Sequence, residues 1–322
     1  MTKIQWTDRT WNPVTGCTRV SEGCRNCYAE RLTATRLRQH PKYANLAVMQ
    51  PSGPRWTNQV RTHYDVLRHP LSWRKPAKVF VCDMSDLFHE TVPFEFIDQV
   101  FAVMALCPHL TFQVLTKRPE RLEMYIHSNR PSAQLIEDCV QHLQPEGIIR
   151  RWPLPNVWLG TSIEDQKTAD ARIPHLRRCP AAVRFLSAEP LLGPIDLQSS
   201  RAFGAADGHD VRQTGGGSVD WVIVGGESGP AAKPTDIAHI RGIVQQCQAA
   251  GVACFVKQVG ARPVCGDADR ESHPDGTLFS EGMHRNQWHM KLRDPKGGDP
   301  DEWPDDLRIR DFPNQTTQRN ET

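Results

Sequence analysis

Nowhere in the chain do roughly eighteen apolar residues run together, so no segment is long enough to cross a bilayer as a helix. An excess of one charge sign is missing too. The 39 Lys and Arg stand against 37 Asp and Glu, leaving +2, so no global field marks a nucleic-acid binder, although a local basic groove is compatible. The start, Met1-Thr2-Lys3-Ile4-Gln5-Trp6-Thr7-Asp8, lacks an apolar core of the secretory kind. That leads to the expectation of a cytoplasmic chain. Ten cysteines in such a setting serve as ligands or core residues, and a disulfide frame is not expected. There is no repeat of fixed period, no second C-x2-C pair and no H-x3-H pair. The 13 histidines are read as background.

What is present begins with ordinary globular bulk. Hydrophobic residues make up 39% of 322 residues, which suits one large α/β barrel or two modest domains. Short apolar runs alternate with amphipathic stretches. Strands are predicted at 79–84, 110–116, 157–162, 183–187, 221–226 and 253–257. Helices are expected at 28–38, 93–106, from 119 onward, at 165–178 and at 235–250. Proline at 119 suits a first helical turn, where its missing N–H would be unpaired anyway. Strands of this length alternating with helices predict a parallel sheet, closed into a full or partial barrel or left open.

In either architecture, functional groups gather at the carboxyl ends of strands. Those ends carry Asp83 and Asp86, then Thr116-Lys117-Arg118, then Ser162 and Glu164. Ser187 and Glu189, Glu227 and Ser228, and Lys257 and Gln258 follow. Six polar strand ends in succession describe the rim of a pocket. Each residue also has a plainer role open to it: Asp86 as a helix cap, Lys117 and Arg118 as a solvated pair, Glu189 before Pro190 as a turn residue. The barrel is assigned to residues 1–260. A Gly-rich insertion falls near 198–219. Residues 261–322 form an irregular extension with Trp288 and Trp303 as anchors, disordered past about Pro313.

The decisive stretch runs from Trp11 to Glu30 and holds Cys17, Cys24 and Cys27 in a C-x6-C-x2-C spacing. A C-x2-C pair lets two thiolates converge on one centre from a tight turn, and the third returns from across the loop. Three readings are open. Chance clustering fits poorly with Asn12, Gly16, Ser21 and Gly23, which are loop residues. Structural zinc normally closes four ligands, and would need a distant fourth such as Cys82. A [4Fe-4S] cluster on three thiolates leaves one iron for another ligand.

The run N-P-V-T-G-C…C-x-x-C-Y-A resembles the cluster loop of radical S-adenosylmethionine (SAM) enzymes, in the branch that includes spore photoproduct lyase. That branch usually spaces its cysteines C-x3-C-x2-C, so the first interval here is three residues longer. Asp83-Met84-Ser85-Asp86-Leu87-Phe88 is similar to the segment that meets the SAM amino group there, and Thr116-Lys117-Arg118-Pro119 to the segment after the third strand. Nearly the whole chain, about residues 3–260, also resembles a phage- and prophage-associated three-cysteine family. W-T-D-x-T-W-N-P, L-T-K-R-P, R-F-L-S-A-E-P-L-L-G-P and W-V-I-V-G-G-E-S-G are its marks.

The resemblance implies a barrel of the radical SAM type, with Cys17, Cys24 and Cys27 holding a [4Fe-4S] cluster. It implies SAM as cosubstrate, a 5′-deoxyadenosyl radical as product of its reductive cleavage, and a separate protein as reductant. Asp86 is the candidate for the SAM amino group, Lys117 or Arg118 for its carboxylate, and Tyr28 for the neighbourhood of the adenine. Glu189 and Glu227 complete the expected cofactor pocket. A nucleic acid, nucleotide or modified base is the expected substrate class, met by Arg31, Arg36, Arg38, Arg55 and Arg61 with Trp56. The competing class is a zinc-stabilised nucleic-acid-binding or adaptor protein without catalysis. Nothing in the sequence sets an oligomeric state.

Overall fold

In the computed structural model, residues 2, 4–128, 132–143, 152–204, 217–271, 278–281 and 287–313 are described. Seven strands form one sheet: β1 (Arg9–Trp11), β2 (Ala77–Val81), β3 (Leu110–Thr116), β4 (Val157–Ile163), β5 (Val183–Ala188), β6 (Trp221–Gly225) and β7 (Ala253–Gln258). Their spatial order follows the chain, and every pairing is parallel. The longer helices are α1 (Tyr28–Ala34), α2 (Phe94–Ala105), α3 (Pro119–His127), α4 (Ser132–Leu143), α5 (Gln166–Arg178) and α6 (Ile237–Ala250).

The strands are apolar on both faces, as a sheet covered on both sides requires. Val79, Val81, Phe112, Val114 and Leu159 belong to the large core shared with the helices. The alternate positions Phe80, Trp158, Phe185, Trp221, Ile223 and Phe255 form a second cluster with Trp6. This second cluster shows how far the sheet curls. Four strand spacings separate β2 from β6, which is about 19 Å in a flat sheet. Yet the Trp6 ring centre lies 4.7 Å from that of Phe80 and 6.3 Å from that of Trp221. One side chain touches strands that far apart only if the sheet bends around it. The fold is therefore a partial parallel (β/α) barrel, as expected, with β1 and β7 as its unjoined edges.

Local chemistry sets the helix ends. Asp165 caps α5 in a reciprocal box: its carboxylate accepts from Thr168 N at 2.8 Å, and Thr168 Oγ1 accepts from Asp165 N at 3.0 Å. Gly251 ends α6 with φ of +65°, a conformation that L side chains seldom adopt. The first helix stops at Ala34, four residues before the expected end.

Beyond residue 260 the chain is more regular than expected. Pro263–Cys265, Leu278–Glu281 and Trp288–Lys291 join Thr235–Asp236 in a four-stranded sheet. Trp303 is fully buried and donates from Nε1 to Gly297 O at 3.1 Å. Val256 N and Asp311 N each donate across the β7 edge, to Ile309 O and Cys254 O, so this extension covers that edge. Strands of three or four residues broken by Gly and Pro leave too short an alternation to read from sequence. The 205–216 part of the Gly-rich insertion, and the tail past Pro313, lie outside the described residues.

Trp221 sits at the centre of the inner cluster, against Trp6, Trp158, Phe185 and Phe255. Trp221→Ala is expected to cost about 3–5 kcal/mol of stability, read as a lower urea midpoint at unchanged m-value.

Candidate functional site

The carboxyl ends of the strands open on one cavity of about 260 Å3. Its wall includes Cys17, Cys24 and Cys27, together with Tyr28, Asp86, Lys117, Arg118, Glu189 and Glu227. Every residue expected to hold the cluster or SAM therefore lines the same space, whereas Glu164 and the arginines expected to meet substrate are not part of its wall. Lys257, Gln258, Ser162 and Ser187 line it as well, and Ile4, Trp6, Phe80 and Leu115 supply an apolar floor.

The three cysteines sit on one loop between β1 and α1. Cys17 follows a parallel bridge between Gly16 and Ser85, Cys24 closes a short 3-10 turn, and Cys27 precedes the first residue of α1. Gly16 has φ of +85°, and a Cβ there would fall 2.2 Å from Gln59 O. All three thiols are free.

The loop is strapped across the strand ends. Asn12 Nδ2 donates to Asp83 Oδ1 at 2.6 Å beyond β2. Arg118 Nη2, beyond β3, donates to Thr18 Oγ1 at 2.7 Å and to Thr18 O at 3.3 Å. Ser21 Oγ donates to Glu164 Oε1 at 2.9 Å beyond β4, and Asn26 Nδ2 to Glu227 Oε2 at 3.0 Å beyond β6. A Cβ on Gly23 would fall 2.4 Å from Glu164 Cγ, so the loop lies directly on that side chain. Behind the loop, Arg19 forms a forked pair with Glu30, which is fully buried and also accepts from Trp56 N at 2.7 Å.

These contacts change what Asp86 and Arg118 have free. Asp86 is 5% exposed, and each carboxylate oxygen accepts twice. Oδ1 takes Phe88 N at 2.9 Å and Thr116 Oγ1 at 2.7 Å, and Oδ2 takes Lys117 N at 3.0 Å and Arg118 Nη1 at 3.1 Å. A carboxylate has about four such positions, so Asp86 has no vacancy for an amino group. The Arg118 guanidinium is spent in the same way. Its Nε goes to Glu90 Oε1 at 2.8 Å, Nη1 to Asp86 and to Cys17 Sγ at 3.9 Å, and Nη2 to Thr18 twice. Burial works against this charge, but Asp86, the Cys17 thiol and Glu90 outweigh it and hold the guanidinium protonated.

Other side chains keep capacity toward the cavity. Lys117 Nζ pairs with Glu164 Oε1, which uses one of three protons. Glu189 accepts from Lys257 Nζ and, at 3.1 Å, from Gln258 Nε2, both on Oε1. Glu227 uses Oε2 for Asn26 and for Lys233 N at 2.7 Å. Tyr28 donates its hydroxyl to Asp83 O, and the residue as a whole is 49% exposed.

Two of the three thiols, Cys17 and Cys27, resist ionisation as they stand. Burial, then Asp86 and the two neighbouring cysteines, push Cys17 up to about 12 against the pull of Arg118. Burial, with Cys24 adding to it, also raises Cys27. A metal centre would have to displace those protons, so its uptake is pH-dependent. Cys82 lines the cavity too, but its thiol is tied to Ser85 and the Val14 backbone, and burial sends it up to about 12. Among the described residues, no three His, Cys, Asp or Glu side chains are grouped so as to hold a single metal ion.

Several of these partners escape sequence reading. Thr18, Ser21 and Asn26 look like filler between cysteines, and His89 and Glu90 carry no motif. The basic surface is partly formed: Arg36 and Arg38 are exposed, while Arg31, Arg55, Arg61 and Trp56 are half-buried.

Fold and site together define a partial (β/α) barrel protein with a three-thiol loop strapped over its strand ends. The chain belongs to the family described as "Protein of unknown function (DUF5131)", whose profile matches residues 1–289. No curated protein matches it. Among solved structures, it is similar to "Spore photoproduct lyase complexed with dinucleoside spore photoproduct" at 11% identity. That alignment covers 87% of this chain and 67% of the other, with a TM-score of 0.32.

Asp86→Ala would leave Arg118 buried without its main counter-charge. We expect a loss of about 3–5 kcal/mol in urea unfolding, and a smaller loss when Arg118→Met is added, because the uncompensated charge is then gone.

Proposed function

We propose that this chain is an iron–sulfur enzyme of the radical SAM kind, with Cys17, Cys24 and Cys27 holding a [4Fe-4S] cluster at the cavity. The observation that carries it is the strapped loop, which turns three free thiols toward one open cavity beside a buried guanidinium. The donor set fits the group. Three thiolates match three irons of a cluster and leave the fourth for a cosubstrate. They need not meet at one ion, which suits side chains that are not grouped for one. Arg118 at Cys17 offsets part of the negative charge that three thiolates would bring into a buried wall.

Cluster and SAM, when bound, would supply one-electron cleavage of a C–S bond and so a hydrogen-abstracting radical, with the electron drawn from a separate reductant. The chain's own residues bind and shelter. Lys117, with protons to spare, is assigned to the SAM carboxylate. The amino group is assigned to Glu189, whose Oε2 has no hydrogen-bond partner among the described residues. Asp86 and Arg118 are thereby moved from cofactor contact to positioning. The ring of the half-exposed Tyr28 is assigned to the adenine, and the apolar floor of Ile4, Trp6, Phe80 and Leu115 keeps water from the reacting atoms.

For substrate we propose a nucleic acid, nucleotide or modified base. Trp56 lines the cavity mouth and can stack on a base. Arg31, which has no acidic partner among the described residues, lies with its Nη1 3.5 Å from where a Cβ on Gly229 would be, near the cavity wall residue Ser228. Arg36, Arg38, Arg55 and Arg61 extend the positive surface outward.

The test is anaerobic reconstitution with iron and sulfide, followed by metal analysis and the EPR spectrum of the reduced protein. Four irons per chain and a signal that changes on adding SAM are expected, with both lost in Cys24→Ala. One tightly bound zinc and no cluster would sink the proposal and favour a zinc-stabilised binding protein.

A further inference from the structure

A second set of contacts around the cysteine loop fixes the direction of one proton. Thr91 N donates to His89 Nδ1 at 3.2 Å, and Thr91 Oγ1 lies 3.0 Å from the same nitrogen. A backbone N–H can only donate, so Nδ1 is an acceptor and the neutral imidazole carries its hydrogen on Nε2. His89 is 2% exposed, and burial with Arg118 nearby favours the neutral ring. Acceptors surround Nε2, as this tautomer requires: Thr18 Oγ1 at 3.0 Å and Glu90 Oε2 at 3.5 Å.

Thr18 Oγ1 therefore receives two donors, His89 Nε2–H and Arg118 Nη2–H, the latter at 2.7 Å. A hydroxyl oxygen has two lone pairs. Both are filled, and the one remaining function of the group is to donate. No acceptor for that proton exists among the described residues, and Thr18 lines the cavity directly after Cys17. An isolated hydroxyl would rotate to suit whatever ligand arrives, but here its role is set before any ligand binds.

We propose that His89 and Arg118 act as positioning residues that fix Thr18 as a hydrogen-bond donor to an anionic acceptor bound beside Cys17. The acceptor rests on the function proposed above: a sulfur of the thiolate-bound cluster, or the carboxylate of SAM. A donor to sulfur stabilises the more negative reduced state and raises the potential. A donor to the carboxylate strengthens SAM binding and leaves the potential alone.

The first arm needs no metal. Proton-detected nitrogen NMR of the full chain, labelled at histidine, reads the His89 tautomer, with the resonance assigned by its loss in His89→Phe. Hydrogen on Nε2 is expected, and hydrogen on Nδ1 overturns the proposal. The second arm compares Thr18→Val and Thr18→Ser with wild type in reconstituted protein of equal iron content, by potentiometric titration and by equilibrium dialysis of SAM. A more negative potential at unchanged SAM affinity in Thr18→Val identifies the cluster sulfur. About tenfold weaker SAM binding at unchanged potential identifies the carboxylate. Thr18→Ser keeps the donor and is expected to restore either property. If Thr18→Val moves neither, the proposal is overturned. If wild type takes up no iron, the function proposed above fails on its own account, and the tautomer decides the direction of the Thr18 proton.

Discussion

The buried pair between Arg118 and Asp86 holds this site together. Five guanidinium N–H groups meet five acceptor atoms on two separate segments: Asp86 and Glu90 beyond β2, and Thr18 and Cys17 on the cysteine loop. Asp86 in turn gathers the end of β3 by accepting from Thr116 Oγ1 and Lys117 N. Buried charges are tolerable only when their hydrogen-bonding capacity is filled, and here both partners are filled to capacity. Lysine would carry the charge but could not make a planar fork to both segments at once. The pair therefore acts as a joint. It couples the strand ends to the loop, so the cysteines inherit the rigidity of the sheet.

This arrangement divides labour among the strand-end carboxylates. Asp86, Glu164 and Glu227 each hold part of the loop, through Arg118, Ser21 and Asn26. Glu189 stands apart, paired with Lys257 on the far side of the curled sheet and tied to no loop residue. The cavity thus has a wall that is internally satisfied, under the cysteines, and a wall that keeps hydrogen-bonding capacity. A ligand gains most where donors and acceptors are not already matched. The open wall, with Glu189, Lys257 and the remaining protons of Lys117, is the side on which a polar ligand would be oriented.

Much of the fold was legible because parallel strands buried on both faces write themselves as continuous apolar runs. Leu110–Thr116 is found at its expected bounds, four of the other predicted strands shift by one residue at their ends, and β2 starts two residues and ends three residues earlier than expected. The residues facing the cavity were legible for the same reason: parallel topology places every strand's carboxyl end on one side. Capacity was not legible. Asp86 reads alike whether it awaits a ligand or grips an arginine, because the difference lies in Thr116 and Arg118, thirty residues or more away. β1 was missed since three residues, Arg9 to Trp11, give no periodicity. Trp6 carries no sign in sequence that it plugs the interior of the curl.

The long first interval of the cysteine motif takes on a physical meaning in this frame. Six residues separate Cys17 from Cys24, and five of them have fixed partners. Thr18 is held by Arg118 and His89, Arg19 by Glu30, and Ser21 by Glu164. Glu22 pairs with Lys233 at 3.2 Å, and Gly23 lies against the Glu164 side chain. Val20 turns outward, 42% exposed, without a polar partner, and Glu22 meets Lys233 at the surface. A slack insertion would raise the entropy of placing three thiols and spread their geometry. A segment with five fixed positions does the reverse. It spans the distance from the end of β3 to the end of β4 and sets Cys17 and the Cys24–Cys27 turn in a defined relation. Length in this loop is therefore a means of reaching two separate anchors, and a shorter interval would have to give up either Arg118 or Glu164.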